Sequence, residues 1–154
     1  MEKIVMESPL GEITIAAKGD KLIFITYGEI SGKNTQSNVL LAAKKQLEEY
    51  FEQKRTSFDL PLSIEGTSFQ KKVWEALRSI PYGETCSYQD VAIKMDNPKA
   101  VRAVGQANRK NPFPIIVPCH RVIGKNKKLI GYAGNQTDKQ QYLLSLENSS
   151  NSVN

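Results

Sequence analysis

Three of the chain's seven prolines fall between Asn111 and Pro118, and no other feature constrains the fold as much. Proline lacks the N–H that a helix needs and pushes the residue before it out of the helical region, so Asn111-Pro112-Phe113-Pro114 must end any helix that precedes it. A rigid extended segment is expected there. It leads through the apolar run Ile115-Ile116-Val117, read as a buried strand, into Pro118-Cys119-His120-Arg121-Val122-Ile123. A helical part before residue 111 is thereby separated from a strand and loop segment directly after it.

Apolar spacing supplies the rest. Ile13, Ile15 and Ala17 share one parity, and Leu22-Ile23-Phe24-Ile25 follows the turn Lys18-Gly19-Asp20-Lys21, which predicts an early hairpin. Leu40 or Leu41, Lys44, Leu47, Tyr50 and Phe51 recur at helical spacing over 38–53, and Phe58, Leu60 and Leu62 suit a further strand. An α+β unit over 1–66 results, with Glu65-Gly66-Thr67 as its joint to a second domain over 67–147. There Thr67 or Ser68 can cap a helix to about Ser79 that buries Phe69, Val73, Trp74 and Leu77. A second helix starts near Ser87, and a third is expected from Lys99 to about Asn108. The pair reads either as an ordinary helical hairpin or as a helix-turn-helix. On the third helix Ala100, Ala103, Gly105 and Ala107 leave a slim face from which Arg102 stands out, suited to close helix packing or to a DNA groove. A last helix from about Asp138 to Glu147 would pack through Tyr142, Leu143 and Leu146, and the Ser- and Asn-rich tail 148–154 is expected to be disordered.

Composition narrows the class. At 154 residues, 40% hydrophobic and 24% charged, the chain is in the range of globular proteins and long enough to bury a core. No run reaches the roughly 18 apolar residues of a membrane span, and Met1-Glu2-Lys3-Ile4-Val5 does not open a signal peptide. A cytoplasmic location follows as the expectation, with Cys86 and Cys119 as reduced thiols. A single histidine argues against a zinc site. The net charge of +5 is uneven: residues 1–66 carry 8 basic and 10 acidic side chains, residues 67–154 carry 13 and 6. A surplus of that kind attracts phosphate backbones, yet it also suits a merely solvated face.

The only histidine stands directly after Cys119, with Arg121 beside it, at the end of a proline-fixed segment. Cysteine attacks as its thiolate, a form favoured by a nearby base or positive charge. On an extended chain neighbours face opposite ways, so His120 would reach the Cys119 sulfur through a water. Glu147, near the end of the last helix, is either the carboxylate that holds His120 or an exposed terminal residue.

These motifs resemble the O6-alkylguanine-DNA alkyltransferases. Pro118-Cys119-His120-Arg121-Val122 is similar to the family's signature. Ser87-Tyr88-Gln89, Asn97-Pro98-Lys99-Ala100-Val101-Arg102-Ala103-Val104-Gly105 and Asn111-Pro112 accompany it in the right order. The likeness covers Phe69 to Glu147, about half the chain. It implies an α+β protein: a small N-terminal α/β, ribonuclease-H-like unit, then a mainly helical DNA-binding domain with a helix-turn-helix. It also implies that Cys119 accepts the alkyl group, that His120 and Glu147 deprotonate it through a water, and that Asn111 is a hinge. Tyr88 would crowd the target phosphate and bond the flipped base, and Arg102 would fill the gap in the stack. Lys99, Ala100, Ala103 and Gly105 belong to the DNA face, and Pro114, Val122, Tyr132, Ala133 and Lys139 to the base pocket. Ala133 stands where many members have serine, so that hydroxyl is missing, and the stretch after Gly134 is a residue longer than in some members, which shifts Lys139.

The activity so implied is a one-use transfer from O6-alkylguanine, with O4-alkylthymine left open, to Cys119. It needs no cofactor or metal, takes double-stranded DNA carrying the lesion as partner, and requires no membrane or obligate protein partner, so a monomer is expected. Three rivals compete. A lesion sensor of the alkyltransferase-like kind lacks the cysteine; a helix-turn-helix regulator wants polar base-reading side chains in place of the Ala and Gly face; a cysteine hydrolase ordinarily keeps its histidine far from the nucleophile in sequence.

Overall fold

The computed structural model describes residues 1–124 and 137–151. It divides into two compact units, Met1–Ile64 and Glu65–Asn154.

In the first unit, strands β1 (Glu2–Ser8), β2 (Gly11–Lys18) and β3 (Lys21–Tyr27) form an antiparallel sheet in the order β1-β2-β3. The expected hairpin is β2-β3, and β1 extends it, pairing Ile4 with Ile15 and Met6 with Ile13. Gly11 and Gly19 close the two tight turns at φ 91° and 64°, where a side chain would be strained. Helix α1 (Asn38–Phe51) buries Leu40, Ala43, Leu47 and Tyr50 and contacts all three strands. Leu41, of the two leucines in register, is 41% exposed. The strand expected around Phe58, Leu60 and Leu62 shrinks to a single parallel bridge from Leu62 to Leu22. Pro61 accepts from Leu22 N–H at 2.9 Å but has no N–H of its own with which to extend a ladder.

In the second unit, α2 (Ser68–Arg78) starts on a reciprocal cap between Thr67 and Gln70 and buries Val73, Trp74 and Leu77. Strand β4 (Cys86–Ser87) leads into α3 (Tyr88–Lys94), capped by Ser87 and Asp90. Helix α4 spans Val101–Arg109 and so begins two residues later than the sequence suggested. Asn97 C=O accepts from Ala100 N–H at 3.0 Å, which spends Pro98 and Lys99 on a turn. Val104, Ala107 and Asn108 face inward, and the Trp74 indole donates to Ala107 C=O at 2.9 Å, locking α2 to α4.

Two expectations after residue 111 are corrected. Ile115-Ile116-Val117 is a buried turn, closed by Val117 N–H on Phe113 C=O at 2.8 Å. Cys119–Arg121 is a 3-10 turn rather than extended chain, with Arg121 N–H on Pro118 C=O at 3.0 Å. Prolines 112 and 114 favour turning over pairing, and Ile115 takes φ 76°, a costly value for a branched side chain. Strand β5 (Val122–Ile123) then pairs in parallel with β4, Cys86 opposite Val122. Helix α5 runs Thr137–Asn151, well into the stretch expected to be a disordered tail. Helix propagation adds one backbone bond for each residue fixed, so a nucleated helix carries on through indifferent Ser and Asn.

Candidate active site

The site is assembled from four short pieces around Cys119. Asn111, two residues past the end of α4, turns its amide inward. Its Nδ2 donates to Val117 C=O at 2.7 Å and its Oδ1 accepts from Phe113 N–H at 2.9 Å, and the amide lies beside the Cys119 thiol. One side chain thus fastens the helix end to the strained turn, next to the sulfur.

Cys119 is 2% exposed. Burial pushes its thiol up to about 12, against the bonds from Asn111 and from the Cys119 and His120 backbone, which draw it down. A thiol so placed stays protonated until a base takes the proton. His120, fully buried in the same turn, meets Glu147 through Nε2···Oε2 at 2.6 Å. Burial lowers the imidazole from its ordinary value, opposed by the hydrogen bond and charge of Glu147, so the resting ring is neutral. Burial would raise the Glu147 carboxyl, but the hydrogen bonds from His120 and Arg121 and the charge of Arg121 outweigh it and hold it at about 2.

Tyr88, the first residue of α3, is half-buried with its ring over Gly105 of α4. Burial raises its phenol, so it stays a hydrogen-bond donor, and its hydroxyl lies beside the Asn108 side chain and within electrostatic reach of Cys119. Val122 and Pro114 are buried near the cysteine in sequence, and Lys139 on α5 is half-buried. Arg102, Ala103, Gln106 and Arg109 are exposed along α4, with Lys99 exposed in the preceding turn, Ala100 half-buried at the helix start and Gly105 half-buried beneath Tyr88. Tyr132 and Ala133 lie outside the described residues.

Cys119, His120, Glu147, Asn111 and Tyr88 are therefore brought together, while Arg102, Lys99 and Ala103 lie on an outer face of the same unit. Two contributors were not anticipated. Arg121 was noted only as a neighbouring charge; it is 6% exposed and forks onto Glu147, Nε to Oε1 at 2.8 Å and Nη2 to Oε2 at 3.1 Å. Gln140 of α5 is buried and donates to the carbonyls of His120 at 3.2 Å and Val122 at 3.0 Å. The signal for Gln140 was the spacing of 140, 143 and 147. It places Gln140 and Glu147 on one helix stripe with buried Leu143, whereas Tyr142 and Leu146 are only half-buried.

Residues 68–149 match the family description "6-O-methylguanine DNA methyltransferase, DNA binding domain", and residues 1–64 match "6-O-methylguanine DNA methyltransferase, ribonuclease-like domain". The constitutive methylated-DNA–protein-cysteine methyltransferase of Bacillus subtilis is 51% identical over 151 residues, covering 92% of this chain and 92% of its own. That of Methanosarcina acetivorans is 46% identical, covering 94% and 97%. Among solved structures, the Mycobacterium tuberculosis O6-methylguanine methyltransferase superimposes with a TM-score of 0.89 at 40% identity, over 99% of this chain and 96% of that one. The M. tuberculosis OGT in complex with DNA gives 0.89 at 42% identity, over 97% and 94%. Likeness of this extent through both units, around a buried Cys-His-Glu constellation, leaves one conclusion: the chain belongs to the 6-O-methylguanine DNA methyltransferase family.

Proposed function

We propose that this protein repairs DNA by taking the alkyl group of O6-alkylguanine onto Cys119, once per molecule. The observation that carries this reading is the buried chain of groups behind the cysteine: a thiol that needs a base, a neutral imidazole in the same turn, and a carboxylate 2.6 Å from that imidazole. Family membership and the relatives' names support it.

In the reaction His120 takes the thiol proton through a bridging water, and the sulfur attacks the alkyl carbon in one displacement. The S–C bond forms as the C–O6 bond breaks, with its electron pair passing to guanine. Tyr88 gives its hydroxyl proton to the departing base and regains one from solvent as His120 releases its own. The net result is a hydrogen moved from sulfur to guanine and a thioether left on the protein. A thioether has no good leaving group, so no second cycle follows.

DNA is held by the second unit. Helices α3 and α4, joined by residues 95–100, act as a helix-turn-helix, with α4 in the minor groove through phosphate contacts that read little sequence. Arg102 occupies the gap left by the flipped base. Val122, Pro114 and Lys139 line the pocket that takes that base. Among the described residues no helix is long and apolar enough to cross a membrane. A cytoplasmic monomer remains part of the proposal.

The test is intact-protein mass after incubation with duplex DNA containing O6-methylguanine. A gain of about 14 Da on Cys119, absent in Cys119→Ser, is the expected outcome. Unchanged mass with lesion-selective binding overturns the transferase and leaves a sensor; unchanged mass without such binding removes both.

A further inference from the structure

Glu147 accepts more hydrogen bonds than holding an imidazole requires. Besides His120 Nε2 it accepts from Arg121 Nε at 2.8 Å, from Arg121 Nη2 at 3.1 Å and from Gly83 N–H at 3.3 Å. Arg121 has further anchors: Nη1 donates to Ile80 C=O at 2.8 Å, and its guanidinium sits 5.6 Å from the centre of the Tyr82 ring. One buried cation thus joins the segment 80–83, the cysteine turn and α5.

We propose that Arg121 is a positioning residue for alkyl transfer: its fork fixes Glu147 as a permanent anion, so the proton drawn from Cys119 stops on His120. This rests on Cys119 being the alkyl acceptor. Passing the proton on to Glu147 would weaken two charge-assisted bonds and leave a buried guanidinium without its counter-charge, a strongly unfavourable arrangement. The fork also sets how readily His120 accepts a proton. Among the described residues, the charged and titratable groups around that ring include Glu147 from α5 and Arg121 and Cys119 from its own turn. Tyr82 lies against Arg121, and Tyr88 of α3 lies toward Cys119. Glu147 favours the imidazolium, whereas burial and the Arg121 charge oppose it. Arg121 therefore has two effects of different origin: its geometry aims the carboxylate, and its charge adds to burial in disfavouring the imidazolium.

His120 is the only histidine, so the imidazole nitrogen-15 spectrum of the full chain reports on it alone. The wild type, Arg121→Lys and Arg121→Gln are compared by His120 titration and by single-turnover alkyl transfer against pH. In Arg121→Gln the positive neighbour is gone, so the His120 midpoint rises, the acid limb of the rate moves up with it, and transfer at neutral pH slows about 10- to 100-fold. Arg121→Lys keeps the charge but not the fork, so its midpoint stays near the wild type while its rate falls part of the way. Folded variants whose His120 midpoint and rate profile superimpose on the wild type overturn the proposal. Should Arg121→Gln not fold, the rate profile of Arg121→Lys decides by itself, since an unimpaired rate overturns it. Failure of the wild type to transfer any alkyl group removes the transferase reading, and the His120 midpoints then decide separately whether Arg121 governs that ring.

Discussion

Glu147 and His120 both release protons more readily in the folded chain than in the unfolded one, and this sets how the protein responds to acid. A folded-state value below the unfolded one gives stability that is present above the unfolded value and lost as pH falls. For His120 the loss begins as pH drops through 6.5, and for Glu147 it begins below 4.5 and runs to about 2. The urea midpoint of the wild type is expected to fall in two stages across those windows. Glu147→Gln removes the second stage, and it lowers stability at neutral pH by about 3–5 kcal/mol because Arg121 is left buried without its partner. A variant as stable as the wild type at neutral pH would show that the Arg121–Glu147 fork contributes little.

The elements differ in how far the sequence disclosed them. Capped helices were plain: Thr67 or Ser68 ahead of α2 and Ser87 ahead of α3 are local signals, and the helices begin there. Cys119 was legible as the candidate alkyl acceptor because the residues of its motif are contiguous. The turn at Ile115-Ile116-Val117 was not, since three branched apolar residues look like a strand and only the tertiary bonds of Asn111 reveal otherwise. The β4-β5 pairing and the Arg121 fork were equally hidden, because they link residues some 26 to 36 apart. Glycines show the same divide. Gly66 read as a joint, but a Cβ there would come within 2.8 Å of the Trp74 ring, which its bond to Ala107 holds still. Gly66→Ala is expected to cost about 1–3 kcal/mol. At Gly105 a Cβ would meet Tyr88 only at 3.8 Å, so Gly105→Ala should raise stability by about 0.5–1 kcal/mol through helix propensity alone. Thermal melts of the two variants check both signs, and a destabilised Gly105→Ala would mean that the helix needs the missing side chain for internal packing.

Across the whole molecule the charge is divided between the units: Met1–Ile64 carries 8 basic and 9 acidic residues, Glu65–Asn154 carries 13 and 7. Every residue assigned to the chemistry lies in the second. On α4 the side chains of Arg102, Gln106 and Arg109 share one exposed stripe, with Lys99 and Lys110 exposed at the two ends and no acidic residue from 97 to 110. Each phosphate neutralised releases counterions, so the logarithm of affinity for undamaged duplex should fall against the logarithm of salt with a slope of about −3 if Lys99, Arg109 and Lys110 engage. Arg109→Ala combined with Lys110→Ala should flatten that slope by about two. The role proposed for Arg102 is different in kind. A guanidinium stacked in the gap left by a flipped base replaces no phosphate counterion, so Arg102→Ala should leave the slope for undamaged duplex unchanged and slow alkyl transfer from the lesion. Binding of each variant across a salt series, alongside its single-turnover rate, separates the two roles. A slope that flattens by about one in Arg102→Ala, with an undiminished transfer rate, would place Arg102 on the phosphate backbone with its neighbours and leave the gap in the stack to another side chain.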